Sequence, residues 1–233
     1  MTKDNLTIII PCKNEENYII NTLKSIEKQI DIFGTKVLIA DADSTDLTLQ
    51  LVNDYKQNSV LDIDVVDGGN VAFGRNSAAK IAKTKYLLFL DADSIIESNE
   101  TIKKCLFEMS NYDIIGCKIK CSVKDIKADL MFSLFNFVQP LMPETFCCGM
   151  FMFVKTNIFK EIGGFDETLH QSEDYFFSKQ IAKDKFKVIS EYVFQDNRRF
   201  KKIGYWFMIN LLITNYVNRK NIDHFRRDIN YWQ

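Results

Sequence analysis

The sequence is poor in the residues that keep a chain open. Three prolines and nine glycines among 233 residues are too few for a long flexible linker, and no low-complexity tract or internal repeat breaks the pattern. Charge of one sign is missing too. Thirty Lys and Arg stand against 31 Asp and Glu, a formal net charge of −1, so no global basic field marks a nucleic-acid binder. No apolar run reaches the roughly 20 residues that a spanning helix needs. The first six residues are polar up to Leu6, and no signal peptide is expected. Six cysteines (Cys12, Cys105, Cys117, Cys121, Cys147 and Cys148) lie in apolar settings. Without an export signal they read as buried, reduced thiols of a cytoplasmic protein. The spacing of the last four fits no common zinc pattern.

What is present is a core. Hydrophobic residues make up 46% of the chain, and the length suits one α/β domain with a modest C-terminal extension. Apolar runs at 6–10, 36–40 and 62–66 read as strands. Helical patterns lie between them: Ile19, Leu23, Ile26 and Ile30 form one stripe, and Leu47, Leu51, Val52 and Tyr55 another. Strand and helix in alternation predict right-handed parallel units. Asn14 is the expected N-cap of the first helix, with Glu15 and Glu16 in its first turn, and Ser44 or Thr45 caps the second. Gly68 and Gly69 open a loop into a helix that starts near Arg75 and carries the small residues Ala78, Ala79 and Ala82.

The chain is organised around residues 85–94, Lys-Tyr-Leu-Leu-Phe-Leu-Asp-Ala-Asp-Ser. Five apolar residues without a polar break suit a strand buried on both faces. Ligands of such sheets bind beyond the carboxyl ends of the strands. Asp91 and Asp93, two residues apart on an extended end, point the same way. Two adjacent carboxylates repel unless a cation lies between them, and Mg²⁺ or Mn²⁺ shared with phosphates is the usual solution. Asp-x-Asp also occurs at 41–43 and 62–64; what singles out the third pair is the strand before it. Farther on, a helix is expected near 98–109, a strand near 113–120, an almost wholly apolar helix over 128–138 and a strand within 147–154. A short helix ends at Gly163 and Gly164. Ser172 reads as an N-cap that places Glu173 and Asp174 in a first helical turn.

With these residues in view, the chain resembles the family 2 glycosyltransferases of the GT-A fold over roughly 6–189. Ile8-Ile-Ile-Pro-Cys-Lys-Asn-Glu-Glu16 is similar to the family's opening strand and turn, and Asp41 with Ser44-Thr45-Asp46 to its acidic motif. Gly74-Arg75-Asn76 resembles an Ala-Arg-Asn segment, and Phe89-Leu-Asp-Ala-Asp93 the metal-binding aspartates. Gly163-Gly-Phe-Asp-Glu167 with Glu173-Asp174 resembles the acceptor-side motifs, and Arg198-Arg-Phe200 those of a subset. Lys13, in place of an aromatic residue, and Asp43, in place of glycine, depart from the pattern.

The resemblance implies a single α/β domain of GT-A type over 1–195, with a Rossmann-like, mainly parallel sheet flanked by helices. Residues 1–93 would form the nucleotide-binding half, 94–195 the acceptor-side half, and 196–233 a helical C-terminal extension. It implies inverting transfer of a sugar from a nucleoside diphosphate sugar to an acceptor hydroxyl of a glycan or lipid-linked molecule. Pro11, Lys13, Glu15, Asp41, Arg75 and Asp91 would bind the donor, and Asp91 and Asp93 the Mn²⁺ or Mg²⁺. Asp174 would be the base, with Glu173 as the second candidate. Two rivals are a nucleotidyltransferase of similar architecture and a catalytically silent sugar-nucleotide-binding protein. The first would carry a glycine-rich basic loop where this chain has Pro11-Cys-Lys-Asn-Glu-Glu16.

Periodicity alone speaks for the last segment. As a helix, the segment from 203 to 217 has a narrow polar stripe at Asn210, Thr214, Asn215 and Asn218, a broad apolar and aromatic surface, and cations on both flanks. That pattern suits an interfacial helix on the inner face of a membrane, a cover for the sheet, or a homodimer contact.

Overall fold

The computed structural model describes residues 2–227; the last six residues of the expected extension lie outside them. Its first half is the predicted alternation: β1 (Leu6–Cys12), α1 (Ile19–Glu27), β2 (Lys36–Asp41), α2 (Thr48–Lys56), β3 (Asp62–Asp67), α3 (Val71–Ile81) and β4 (Tyr86–Leu90). There follow β5 (Ser94–Ile96), α4 (Thr101–Glu108), β6 (Ile114–Cys121), α5 (Ile126–Val138), β7 (Phe151–Lys155), α6 (Thr156–Ile162), α7 (Glu173–Ser178) and β8 (Phe186–Gln195). The described chain closes with α8 (Arg198–Ile203), α9 (Tyr205–Asn218) and α10 (Ile222–Phe225).

The strands form one mixed sheet in the order β3-β2-β1-β4-β7-β6-β8-β5. β3, β2, β1 and β4 are parallel, with Ile8 beside Val37 and Phe89 beside Ile9. β7 then runs antiparallel to both β4 and β6. Every residue of β4 is buried, as an unbroken apolar run in mid-sheet requires. Alternate residues of one strand feed opposite layers. Leu88 and Leu90 join Ile8, Ile10 and Phe153 beneath α1 and α4. Leu87 and Phe89 join Ile9, Met152 and the α3 alanines Ala72, Ala78 and Ala79 on the other side. Three aromatic rings close that second layer, Phe159, Phe165 and Phe177, with centroids 4.8–5.6 Å apart.

Three expected caps are replaced. Asn14 has φ of 55° and does not cap α1, which starts five residues later. Its carboxamide accepts from the Thr45 N–H, while the N–H groups of Glu15 and Glu16 donate to Thr48 and Asp46. The loops after β1 and β2 thus satisfy each other's backbone, and the helix need not begin early. Ser44 is turned to Asp41 and Thr45 toward Asn14, so Asp46 takes the Thr48 N–H at the start of α2. Leu47, expected inside, stays 55% exposed. Ser172 has φ of 59° and makes no side-chain cap.

The second half diverges more. β5 and β8 were not legible, because β5 has three residues and the burial of β8 is irregular. Opposite β8, the register of β6 shifts between Gly116 and Lys118. Beyond the three β6 residues paired with β7, Asn136 of α5 bonds both the N–H and the carbonyl of Ile119. Asp125 caps α5 and also accepts from Asn197 and Tyr205, fastening α5 to α8 and α9. The helix expected from residue 203 is split off from α8 by Gly204, at φ of 87°. All six cysteines are free thiols. Among the described residues no helix is long and apolar enough to cross a membrane.

Phe153 has no exposed surface and packs in the antiparallel strand beside β4. Phe153→Ala is expected to lower the unfolding free energy by about 3–5 kcal/mol, whereas Leu130→Ala, at a site 70% exposed, should change it by under about 0.5 kcal/mol. Urea titration with an unchanged slope checks both.

Candidate active site

Asp91 and Asp93 leave the carboxyl end of β4 in a tight turn, where the Ser94 N–H returns to the Asp91 carbonyl. Their carboxylates take different partners. Asp91 Oδ1 accepts from Arg75 Nη2 at 2.8 Å. Asp93 accepts from Gln195 Nε2 at 2.6 Å and from Arg198 Nη2 at 2.8 Å. Burial pushes the Asp91 carboxyl up, and the charge of Asp93 adds to this while Arg75 opposes it.

Arg75 had been expected to face a donor. The structure turns it inward, with its side chain 1% exposed. Nη1 donates to Glu173 at 2.6 Å, and Nη2 serves Asp91 and, at 3.4 Å, the Gly149 carbonyl. The guanidinium carbon lies 5.3 Å from the centre of the Phe165 ring. Position 149 must be glycine for this packing, since a Cβ there would fall 2.6 Å from Arg75 Nη2.

Asp174 lies next to Glu173 and accepts from two backbone N–H groups, Gly149 at 2.8 Å and Tyr175 at 2.7 Å. Its carboxyl is nonetheless pushed up to about 7, first by burial and then by the charge of Glu173, against the pull of Gly149 and Arg75. Asp91, Asp93, Arg75, Glu173, Asp174 and Arg198 line one cavity of about 190 Å³.

The other expected donor residues gather at the ends of β1 and β2, outside that lining. Asp41 accepts from the N–H and hydroxyl of Ser44. Pro11 is half-buried in β1, and Lys13 is exposed in the loop after it. Glu15 links the two groups, because Arg198 Nη2 donates to it at 2.5 Å as well as to Asp93. Burial raises the Glu15 carboxyl, and Arg198 opposes the rise. Position 43, where the family pattern has glycine, has φ of 55°, a region that glycine favours and aspartate tolerates. Three contributors were not singled out from the sequence: Gly149, Gln195 and Tyr18, whose ring lies 4.3 Å from the Arg198 guanidinium carbon.

Among the described residues no group of three or more His, Cys, Asp or Glu side chains is placed to hold a metal ion. Asp91 and Asp93 supply an all-oxygen, anionic pair. That donor set fits Mg²⁺ or Mn²⁺, which take one or two carboxylates and complete their shell with water and phosphate. Arg198 would yield its place on Asp93 to such an ion.

Comparison with known proteins agrees with this architecture. Residues 7–163 match Glycosyl transferase family 2, and the chain belongs to that family. It is 26% identical over 197 residues to the O-antigen chain rhamnosyltransferase RfbN of Salmonella typhimurium, covering 78% of this chain and 62% of that one. Among solved structures, S. aureus TarS in complex with UDP-GlcNAc superposes with a TM-score of 0.62 at 25% identity, over 81% of this chain and 58% of that one. The Pyrobaculum calidifontis mannosyltransferase PcManGT, with GDP-Man and Mn²⁺, shares the fold with a TM-score of 0.62 at 20% identity, over 80% and 54% of the two chains. The chain thus spans about six-tenths of the length of RfbN and of the TarS fragment.

Removing Arg75 leaves the buried Glu173 and the half-buried Asp91 without their cation. Arg75→Met should destabilise the fold by about 3–5 kcal/mol near neutral pH. The deficit should shrink at lower pH, because protonation then relieves the unpaired acids. Chemical denaturation of both proteins at two pH values checks the sign.

Proposed function

We propose that this chain is an inverting glycosyltransferase that moves a sugar from a nucleoside diphosphate sugar to an acceptor hydroxyl with the help of Mn²⁺ or Mg²⁺. One observation carries the proposal: a carboxyl held near neutrality, Asp174, shares a cavity with the aspartate pair that ends β4. A base with that affinity for protons can accept one from an alcohol as the alcohol attacks.

In this reading the acceptor oxygen loses its proton to Asp174 and bonds to the anomeric carbon from the face opposite the diphosphate. The bond from that carbon to the phosphate oxygen breaks, and the electron pair leaves with the nucleoside diphosphate. Glu173, neutralised by Arg75, is a positioning residue that keeps Asp174 basic. Asp91 and Asp93 would hold the divalent ion, which when bound supplies positive charge at the departing diphosphate. The Mn²⁺ in the PcManGT complex and the oxygen-only donor pair both support this assignment. Arg198, shared by Glu15 and Asp93, would add positive charge beside the same aspartate pair. Pro11, Lys13, Glu15 and Asp41 would line the nucleoside pocket, and Arg75 would act there only through Asp91.

The names of the relatives point to polysaccharide or glycolipid assembly, with a glycan or lipid-linked acceptor. Six free thiols suit the cytoplasmic side of a membrane.

Asp174→Asn should lower transfer roughly a hundredfold or more with donor affinity nearly unchanged. The wild-type rate should climb with pH through about 7, as Asp174 loses its proton. Glu173→Gln removes a neighbouring negative charge and should move that rising limb to lower pH. If Glu173→Gln is inactive while Asp174→Asn still turns over, the two roles are exchanged. A thermal-shift panel of nucleoside diphosphates tests the ion: Mn²⁺ should strengthen binding to the wild type and not to Asp93→Ala. Metal-independent turnover by the wild type would overturn the assignment.

A further inference from the structure

The cavity that holds Asp174 has a mostly apolar wall, made by Met131 and Phe135 of α5 with Met208, Leu211 and Leu212 of α9, and interrupted by Asn215, which donates to Gln171. Sugar hydroxyls gain nothing from such a wall, whereas a hydrocarbon chain is stabilised by leaving water there. The same two helices also carry apolar side chains on the outside. On α5, Ile126, Leu130, Leu134 and Phe137 are between 61% and 81% exposed, and their spacing makes one stripe. On α9, Trp206, Ile213 and Val217 are exposed by 80%, 57% and 70%.

The two helices that carry these stripes also line the cavity. α5 and α9 meet through Phe132 and Met208 in a single apolar cluster. Leu212 lines the cavity and is itself 51% exposed. Exposed apolar side chains in this number mark an interaction site. The charge around it identifies the partner. Residues 196–227 carry eight Lys and Arg against two Asp, in a chain whose net charge is −1; of these, Arg198, Arg219 and Arg226 are taken by acids of the fold. Lys124, Lys127, Lys201 and Lys220 are exposed on or beside the two helices. Lys127 stands 5.7 Å from the centre of the Tyr205 ring, where α5 and α9 join. Apolar helices with an outward tryptophan and cationic margins fit the interfacial zone of an anionic bilayer.

We infer that α5 and α9 dock this chain on an anionic bilayer, and that the cavity they line admits an acceptor borne on a membrane hydrocarbon chain. The second clause rests on Asp174 being the acceptor-side base; the docking does not.

Flotation of the full chain with vesicles of phosphatidylcholine, alone or with phosphatidylglycerol, tests the docking. The chain should float with the anionic vesicles at low salt and be released by high salt. Lys201→Gln with Lys220→Gln should weaken vesicle binding roughly 25-fold, about fivefold for each cation removed. Leu134→Gln with Val217→Gln should lower the bound fraction at an unchanged thermal midpoint. Failure to float at low salt, or equal flotation with neutral vesicles, overturns the inference. So does a dimer in size-exclusion chromatography that Leu134→Gln separates, since a second copy then covers the face. Flotation reads no chemistry: a chain that floats but transfers no sugar refutes the proposed activity and keeps the docking, and the reverse result does the opposite.

Discussion

One buried guanidinium holds the site together. Arg75 comes from the first half of the chain and Glu173 from the second, and Asp91 stands at the end of the strand between them. A charge removed from water must be paired, and here each acid is tolerated inside because the same cation serves both. The arrangement needs Gly149 to make room and Phe165 to cover the guanidinium face. It is also what separates the two carboxyls of the Glu173-Asp174 pair. Glu173 is held by a full positive charge, whereas Asp174 has two backbone dipoles and a carboxyl pushed up to about 7.

A second arginine plays the same part at the ends of β1 and β4. Arg198 reaches Glu15 and Asp93 across a sequence separation of more than a hundred residues. It ties α8 to the loops after β1 and β4, and α8 leads through Gly204 into α9. The segment that carries the outward apolar stripe is therefore joined, by one ion-paired residue and one glycine, to the aspartate pair.

The first half of the fold, through β4, was legible because its signals are local. An unbroken apolar run gave β4, small residues gave the close packing of α3, and alternation gave the parallel order. Asp91, Asp93, Glu173 and Asp174 were legible as residue types at strand and helix ends, and the family resemblance brought them into order. Arg75 was found but misdirected: a sequence shows that an arginine opens a helix, not that three distant groups will enclose it. The caps failed for the same reason. Asn14, Ser44 and Ser172 are good local cap residues, yet neighbouring loops or a left-handed backbone claimed them. β5 and β8 escaped because a three-residue edge and a strand with shifted register carry no clean period.

Asp174 brings a thermodynamic tension with it. Its proton affinity rises on folding, from an ordinary carboxylate value of 3.8 to about 7. The folded chain therefore binds that proton more tightly than the unfolded chain does. The resulting contribution to stability is complete below the lower value and is lost as pH climbs through the upper one. The group gives its stabilising share while it is protonated, and surrenders that share over the range where it would become the base proposed above. On that proposal, protein and catalyst have opposite pH preferences at this one carboxyl, and selection for activity there would run against selection for a robust fold.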